Sequence, residues 1–268
     1  MNRIERQKEI VAQLKPMDDI LAAKILEDVN VCQEIIATIL DDPELEIIEV
    51  CPQKSIRNLQ GRSVQLDALC KRSDGTVFNV ELQKSDDDDH IKRARYNAAC
   101  ITANAAEPGI KFEHIPDVYI IFISRFDMFR AGKTTYHMDY VIRENGVRVD
   151  NGQYTIFVNT KVDDGSDIAE LMKCLEQTQV ENPKFPHLSE RMKQLKGSEE
   201  GGEGMNKLLE EYTREVAEEC RKETSLDTAR KLFGIGITLE QIRMVIDEKF
   251  VSTEELLELQ KEARTVGQ

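Results

Sequence analysis

Apolar and polar residues alternate along this chain with two different periods, which divide it into short strands and longer helices. Between Asp18 and Leu40 apolar residues fall at Ile20, Leu21, Ile25, Val29, Ile35, Ile36, Ile39 and Leu40, so one long helix or two short ones are expected, interrupted at Asp28-Val29-Asn30. Pro43 ends this segment, because proline pushes the preceding residue out of the helical region. A short strand is expected at 46–50. Two runs, 64–71 and 76–84, flank Ser73-Asp74-Gly75 and predict a β-hairpin. Four aspartates, Asp86 to Asp89, then open an alanine-rich helix over 91–106; acidic residues favour a helix N-terminus, so the run reads as a cap. The segment 117–124 is apolar on both faces, β-branched and too short for a helix, which predicts a buried central strand. Further strands are expected at 134–143 and 153–159. The order helix, strand, strand, strand, helix, strand implies an α/β core with a mixed sheet flanked by helices.

Beyond Gly165 the pattern is helical. One helix is expected over 167–179, Pro183 and Pro186 interrupt, and 197–204 (GSEEGGEG) reads as an acidic, glycine-rich hinge. A charged helix follows from Met205 to about Phe233. Two capping signals, Thr238-Leu-Glu-Gln241 and Ser252-Thr-Glu-Glu255, each open a short helix, which predicts a small helical hairpin. The expected organisation is a core domain at 1–196, the hinge at 197–204 and a helical C-terminal tail at 205–268.

The register of the hairpin determines whether two carboxylates meet. A three-residue loop at Ser73-Asp74-Gly75 places Asp67 opposite Glu81, with Val64, Leu66, Ala68 and Cys70 sharing an apolar face with Phe78, Val80 and Leu82. Gln65, Asp67, Lys71, Asn79, Glu81 and Gln83 then share a polar face. A two-residue Asp74-Gly75 turn would bury Asp67 among Val80 and Leu82 at a cost of several kcal/mol, so burial selects the register that clusters the acids. Two like charges this close repel unless a proton or cation lies between them, and hard divalent cations suit such oxygen ligands. Taken alone, a polar face with two acids is also what a solvated sheet presents.

Composition narrows this. The chain has 268 residues, 40% of them hydrophobic and 32% charged, which fits a soluble protein with a sizeable core. The longest apolar run, at 118–123, is far short of the roughly 20 residues that cross a membrane. The N-terminus lacks an apolar segment ending in a cleavage site, so a cytoplasmic location is expected, with no membrane partner. Six scattered cysteines read as reduced, mostly structural thiols, and the four histidines as ordinary surface or core residues. The formal net charge of −14 is spread along the chain, so any nucleic-acid contact must be local.

Leu66-Asp67-Ala68, the hairpin and Val80-Glu81-Leu82-Gln83-Lys84 together resemble the active-site hairpin of the PD-(D/E)XK nuclease superfamily. The run is most similar to the Rpn-like PD-(D/E)XK nuclease family transposases of bacteria, whose motif is Asp followed by Glu-x-Gln. Lys92-Arg93-Ala94-Arg95-Tyr96-Asn97 is similar to that family's arginine-tyrosine helix. The apolar strand up to Ser124, Phe126-Asp127, Asn182-Pro183 and the segment 196–205 also fit. The resemblance implies a restriction-endonuclease-like fold (α-β-β-β-α-β) and a DNA endonuclease that hydrolyses phosphodiesters with water activated by Mg2+, or by Mn2+ as a substitute, in recombination or transposition. It implies Asp67, Glu81 and the Leu82 carbonyl as metal ligands. Gln83 would orient the water, since glutamine cannot serve as its acid or base. Lys92, Arg93, Arg95 and Tyr96 would contact DNA, Lys92 and Arg95 at backbone phosphates and Arg93 and Tyr96 either holding the phosphate or bracing the site; for Arg93 the residues alone equally allow a salt bridge to the aspartate run. Lys84 points to the opposite face by alternation. Where the family has Asp followed by aromatic residues, this chain has Asp18-Asp19-Ile20-Leu21, and that helix reads as packing. A homodimer is expected, because cutting both strands of a duplex takes two sites. Two other classes stay open: a catalytically inactive nuclease-fold protein acting as an interaction module through the acidic helix from Met205, and an RNA or single-strand nuclease stacking bases on Phe78 and Tyr96.

Overall fold

Strands that are apolar on both faces must be covered on both sides, and that requirement shapes the molecule. The computed structural model describes residues 9–56, 63–86, 89–106, 108–197, 199–247, 249–253, 255–257 and 259–260. Its elements run α1 (Asp19–Ile25), α2 (Val29–Leu40), β1 (Ile47–Ile56), β2 (Val64–Arg72), β3 (Val77–Gln83), α3 (His90–Ala105), β4 (Val118–Ser124), β5 (Thr135–Met138), β6 (Tyr140–Val141), β7 (Arg148–Val149), β8 (Gln153–Asn159), α4 (Asp167–Leu175), α5 (Pro186–Gly197), α6 (Glu199–Gly234) and α7 (Leu239–Arg243). The chain divides into two units, Met1–Met205 and Asn206–Gln268.

The first unit is built on a six-stranded sheet of order β1-β2-β3-β4-β8-β5. β3, β4 and β8 are parallel, and β1, β2 and β5 join antiparallel, so the sheet is mixed. The α/β, restriction-endonuclease-like architecture implied by the sequence is the one observed. On one face the helix α3 packs Ala94, Ala98 and Ile101 onto Val77, Val118, Ile120, Phe122 and Phe157. Two of these helix residues are alanines, which let the helix approach the sheet closely. α2 packs against β1 and against α4 and α5.

The interruption expected within 18–40 separates two helices. Asp28 caps α2, its carboxylate accepting the Asn30 N–H at 2.9 Å and that of Val31 at 3.4 Å. β1 is longer than the expected 46–50, because β2 offers it a partner along its whole length, including Pro52 opposite Ala68. Proline is tolerated there because β1 is an edge strand. The strand expected over 134–143 splits. β5 follows β8 only as far as Met138 opposite Thr155, and the chain then folds on itself through the turn at Asn145-Gly146 into the β6–β7 ribbon. α4 ends at Leu175, earlier than expected.

The acidic, glycine-rich stretch expected as a hinge is helical from Glu199 onward. A glycine in a helix costs about 1 kcal/mol relative to alanine, and the run of Glu, Lys and Leu that follows supplies strong helix formers. In the second unit Ala229, Phe233, Ile242, Ile246, Val251, Leu256 and Leu259 form a small core of their own. Both capping signals are formed: Thr238 and Gln241 make a capping box, and Ser252 pairs reciprocally with Glu255.

Phe122 lies at the centre of the first unit's sheet, fully buried. Phe122→Ala should lower the unfolding free energy by about 3–5 kcal/mol, read by chemical denaturation.

Candidate active site

The hairpin has the register that clusters the acids. Gly75, at φ 93°, closes a three-residue loop in which the Arg72 N–H donates to the Thr76 carbonyl, and Ala68 stands opposite Val80. The β2–β3 pairing ends at that pair, while β2 continues beside β1 to Val64. At this end the Asp67 carboxylate takes the place of a backbone acceptor: its Oδ2 accepts the Leu82 N–H at 2.9 Å. One carboxylate is thereby fixed to the strand that carries the other.

The polar face is buried around Asn79 and Glu81, although Gln65 and Lys71 remain exposed. Glu81 is 0% exposed, and α3 lies over it. Its Oε1 accepts from Asn79 Nδ2 at 3.0 Å and Asn97 Nδ2 at 3.2 Å, and its Oε2 lies 3.5 Å from the Arg93 guanidinium. Arg93 therefore pairs with Glu81; of the aspartate run, Asp87 and Asp88 lie outside the described residues. Asn79 Oδ1 is buried with no hydrogen-bond partner among the described residues. Burial, then the charge of Asp67, pushes the Glu81 carboxyl up to about 8, against the opposing pull of Asn79 and Arg93. Burial also raises Asp67, opposed by the Leu82 N–H and Arg93.

The structure adds a third acid. Asp19, in the first turn of α1, is near enough to Asp67 to raise its proton affinity further. It forms an ion pair with Lys84 at 2.7 Å. Its signal in the sequence is Asp18-Asp19 at a helix start, but acids there are so often caps that nothing links this one to the hairpin. Arg125 holds this end together: its guanidinium pairs with Asp18 at 3.1 Å and Glu176 at 2.6 Å, and its backbone N–H donates to the Gln83 carbonyl at 3.0 Å. Asn79 and Asn97, which hold Glu81, appear in the sequence only as a member of the polar face and as the last residue of the arginine-tyrosine run, and neither position alone reports that its amide meets Glu81.

The other expected residues lie around this core. Gln83 is the last, half-buried residue of β3. Lys92 is exposed and ion-paired at 2.7 Å with Asp89, whose carboxylate also caps α3 by accepting the Lys92 N–H. Arg95 is exposed, and Tyr96 packs partly against the hydrophobic cluster under α3. Among the described residues no group of three or more His, Cys, Asp or Glu side chains is arranged to hold a metal ion. The donors present are two carboxylates of raised proton affinity at one place, beside a strand carbonyl. That set fits a hard divalent cation which takes its remaining ligands from water and substrate.

A family model described as PD-(D/E)XK nuclease family transposase matches residues 27–221. The chain belongs to this family. No curated protein and no solved structure matches it. Family membership makes the protein nuclease-like or transposase-like, and the matched span includes the whole hairpin, α3 and β4. No described helix is long and apolar enough to cross a membrane.

The pair of raised carboxyls has a thermodynamic consequence. Between the ordinary glutamate value of 4.5 and about 8, the native transposase-family fold binds more protons at Glu81 than the unfolded chain does. Stability from this source is therefore fully present below that window and lost as pH rises through it. Glu81→Gln removes the ionisation and keeps an acceptor for the asparagines, so its melting temperature should fall less than the parent's across the window. An equal decline in both proteins would contradict this.

Proposed function

We propose that this chain is a Mg2+-dependent DNA endonuclease, with Mn2+ as a substitute ion, and that Asp67 and Glu81 are its catalytic carboxylates. The observation that carries this reading is Glu81, a carboxylate with no solvent exposure, aligned with Asp67 and held by Asn79, Asn97 and Arg93. Such a group costs stability and has to be positioned, which is the signature of a site rather than of a surface.

Asp67, Glu81 and the Leu82 carbonyl would hold the ion. When bound, it would lower the pKa of water and neutralise charge developing on the phosphate. The protein's own part is positional. The Leu82 N–H locks the Asp67 rotamer, and the two asparagine amides keep Glu81 aimed at one place. Arg93 sits at 3.5 Å, a loose ion pair for a guanidinium, and is partly exposed, so it can exchange Glu81 for a phosphate oxygen. Gln83, at the mouth of the strand end, orients the attacking water through its amide without moving a proton. Lys92 and Arg95 lie on the outward turn of α3, where Arg95 is the cation best placed for the DNA backbone and Lys92 must first leave Asp89, while Tyr96, packed partly under the helix, would reach DNA only with its exposed part.

Plasmid cleavage and calorimetry test this together. Asp67→Ala and Glu81→Ala should each slow Mg2+-dependent cleavage about a hundredfold or more, as expected when several kcal/mol of transition-state stabilisation is lost. Both should abolish the heat of Mg2+ binding. The parent's affinity for Mg2+ should rise with pH, because the raised carboxyls must release a proton to accept the ion. Undiminished cleavage in both variants overturns the assignment of Asp67 and Glu81, and a parent that neither cleaves nor binds the ion leaves an interaction module.

A further inference from the structure

We propose that the loop at 127–133 is a preorganised clamp for the DNA backbone, presenting Arg130 and Lys133 beside the catalytic end of the sheet. The proposal rests on the nuclease reading above and adds a contact surface outside its motif.

Position comes first. Ser124 is in register with Gln83 across β3 and β4, so the chain leaves β4 at the end of the sheet that carries Glu81. Phe126 packs at a tilt against His90 in the first turn of α3, with ring centroids 5.3 Å apart. Met128 and Tyr136 pack against the cluster that α3 covers. The loop thus lies on the α3 face, close to the helix start that presents Arg93.

Order comes second. Asp127 Oδ1 accepts the Arg130 N–H at 3.0 Å and the Tyr136 hydroxyl at 2.6 Å, and its Oδ2 accepts the Gly132 N–H at 2.8 Å. The Tyr136 oxygen in turn accepts the N–H groups of Ala131 at 3.2 Å and Lys133 at 3.1 Å. Phe129 anchors the loop edge-on to Phe157 and Tyr136. Two side chains therefore fix the backbone of an otherwise exposed loop. Arg130 is held at φ 52°, a left-handed conformation that costs a non-glycine residue energy and persists only where its surroundings impose it.

Charge comes third. Arg130 and Lys133 are exposed and have no carboxylate partner among the described residues, in a chain of net charge −14. Arg125, Lys84 and Lys92, at the same end, are all taken up by acids. Two unpaired cations on a rigid loop beside a phosphodiester-cutting site match successive phosphates and carry no base readout, so the contact fixes where the strand lies rather than which sequence it has.

The test is binding of a labelled DNA duplex by fluorescence anisotropy over a salt series, in the absence of Mg2+. The double variant Arg130→Ala/Lys133→Ala should bind about tenfold more weakly, and the slope of log affinity against log salt should shrink by about two, one for each phosphate that the loop no longer neutralises. A charge-matched control, Arg143→Ala/Arg148→Ala, alters the β6–β7 ribbon at the opposite end of the sheet and should bind as the parent does. Asp127→Asn separates order from charge: it removes a negative charge, so charge counting alone predicts tighter binding, whereas a preorganised clamp predicts weaker binding with the salt slope kept. Parent-like binding by the loop double variant, or tighter binding by Asp127→Asn, overturns the clamp and leaves the nuclease reading intact. Failure of the parent itself to bind the duplex at low salt would overturn that reading instead.

Discussion

Placing the carboxylate of Glu81 under a helix, next to a second carboxylate, is the constraint around which the first unit is arranged. An unpaired charge in such a place is costly enough that a protein usually neutralises it or surrounds it with donors. This chain does both. Asn79 and Asn97 donate to one oxygen, Arg93 approaches the other, and the raised proton affinity of the pair lets a proton stand in at neutral pH. The neighbouring elements follow from this need. The three-residue loop closed by Gly75 sets the register, the ladder ends at Ala68 so that Asp67 can turn to the Leu82 N–H, and the alanines of α3 bring Asn97 within reach of the sheet.

The hairpin register was legible in the sequence because strand alternation and a three-residue turn leave one solution that does not bury Asp67 in the apolar face. The double-sided burial of β4 was legible for a similar reason, since Val118 to Ile123 has no polar face to expose. Solvation of the acidic face was not. Whether Glu81 meets water depends on a helix that starts nine residues later and crosses back over the sheet, and nothing in strand alternation reports such a crossing. Asp19 was hidden for a related reason: its role depends on where α1 docks relative to β2. The expected hinge is a different matter, because composition marks glycine-rich segments as loops, whereas the preference of the following residues for helix carries through them.

The rival view, in which the nuclease fold is kept only as a scaffold for protein contacts, must account for the network around Glu81. A scaffold gains nothing from it: replacing a buried ionic cluster by apolar side chains of similar volume is often neutral or stabilising. Asn79 adds to the difficulty, since it gives its amide to Glu81 and leaves its own buried oxygen without a partner among the described residues. A fold that retains an unsatisfied acceptor to keep a carboxylate oriented is held to a geometry that packing alone does not require. The same holds for Asp127, which gathers two backbone N–H groups and a tyrosine hydroxyl to hold an arginine in a left-handed conformation on the surface.

An excess of fourteen negative charges argues at first sight against a polyanionic substrate, but charge acts over a limited range. At physiological ionic strength the Debye length is about 8 Å, so carboxylates along the distal ribbon are screened from the sheet end that carries the site. On the proposed reading, the acids at that end, Asp18, Asp19, Glu176 and Asp89, are paired with Arg125, Lys84 and Lys92, which leaves Arg93 loosely held, Arg95 exposed, and Arg130 and Lys133 without a carboxylate partner among the described residues to meet a phosphate. The acidic remainder then acts on encounter rather than on fit. If the nuclease reading holds, it would repel duplex that approaches in the wrong orientation and lower non-specific residence, so that productive contact would depend on the few cations around one buried pair of acids and on the ion that pair can accept.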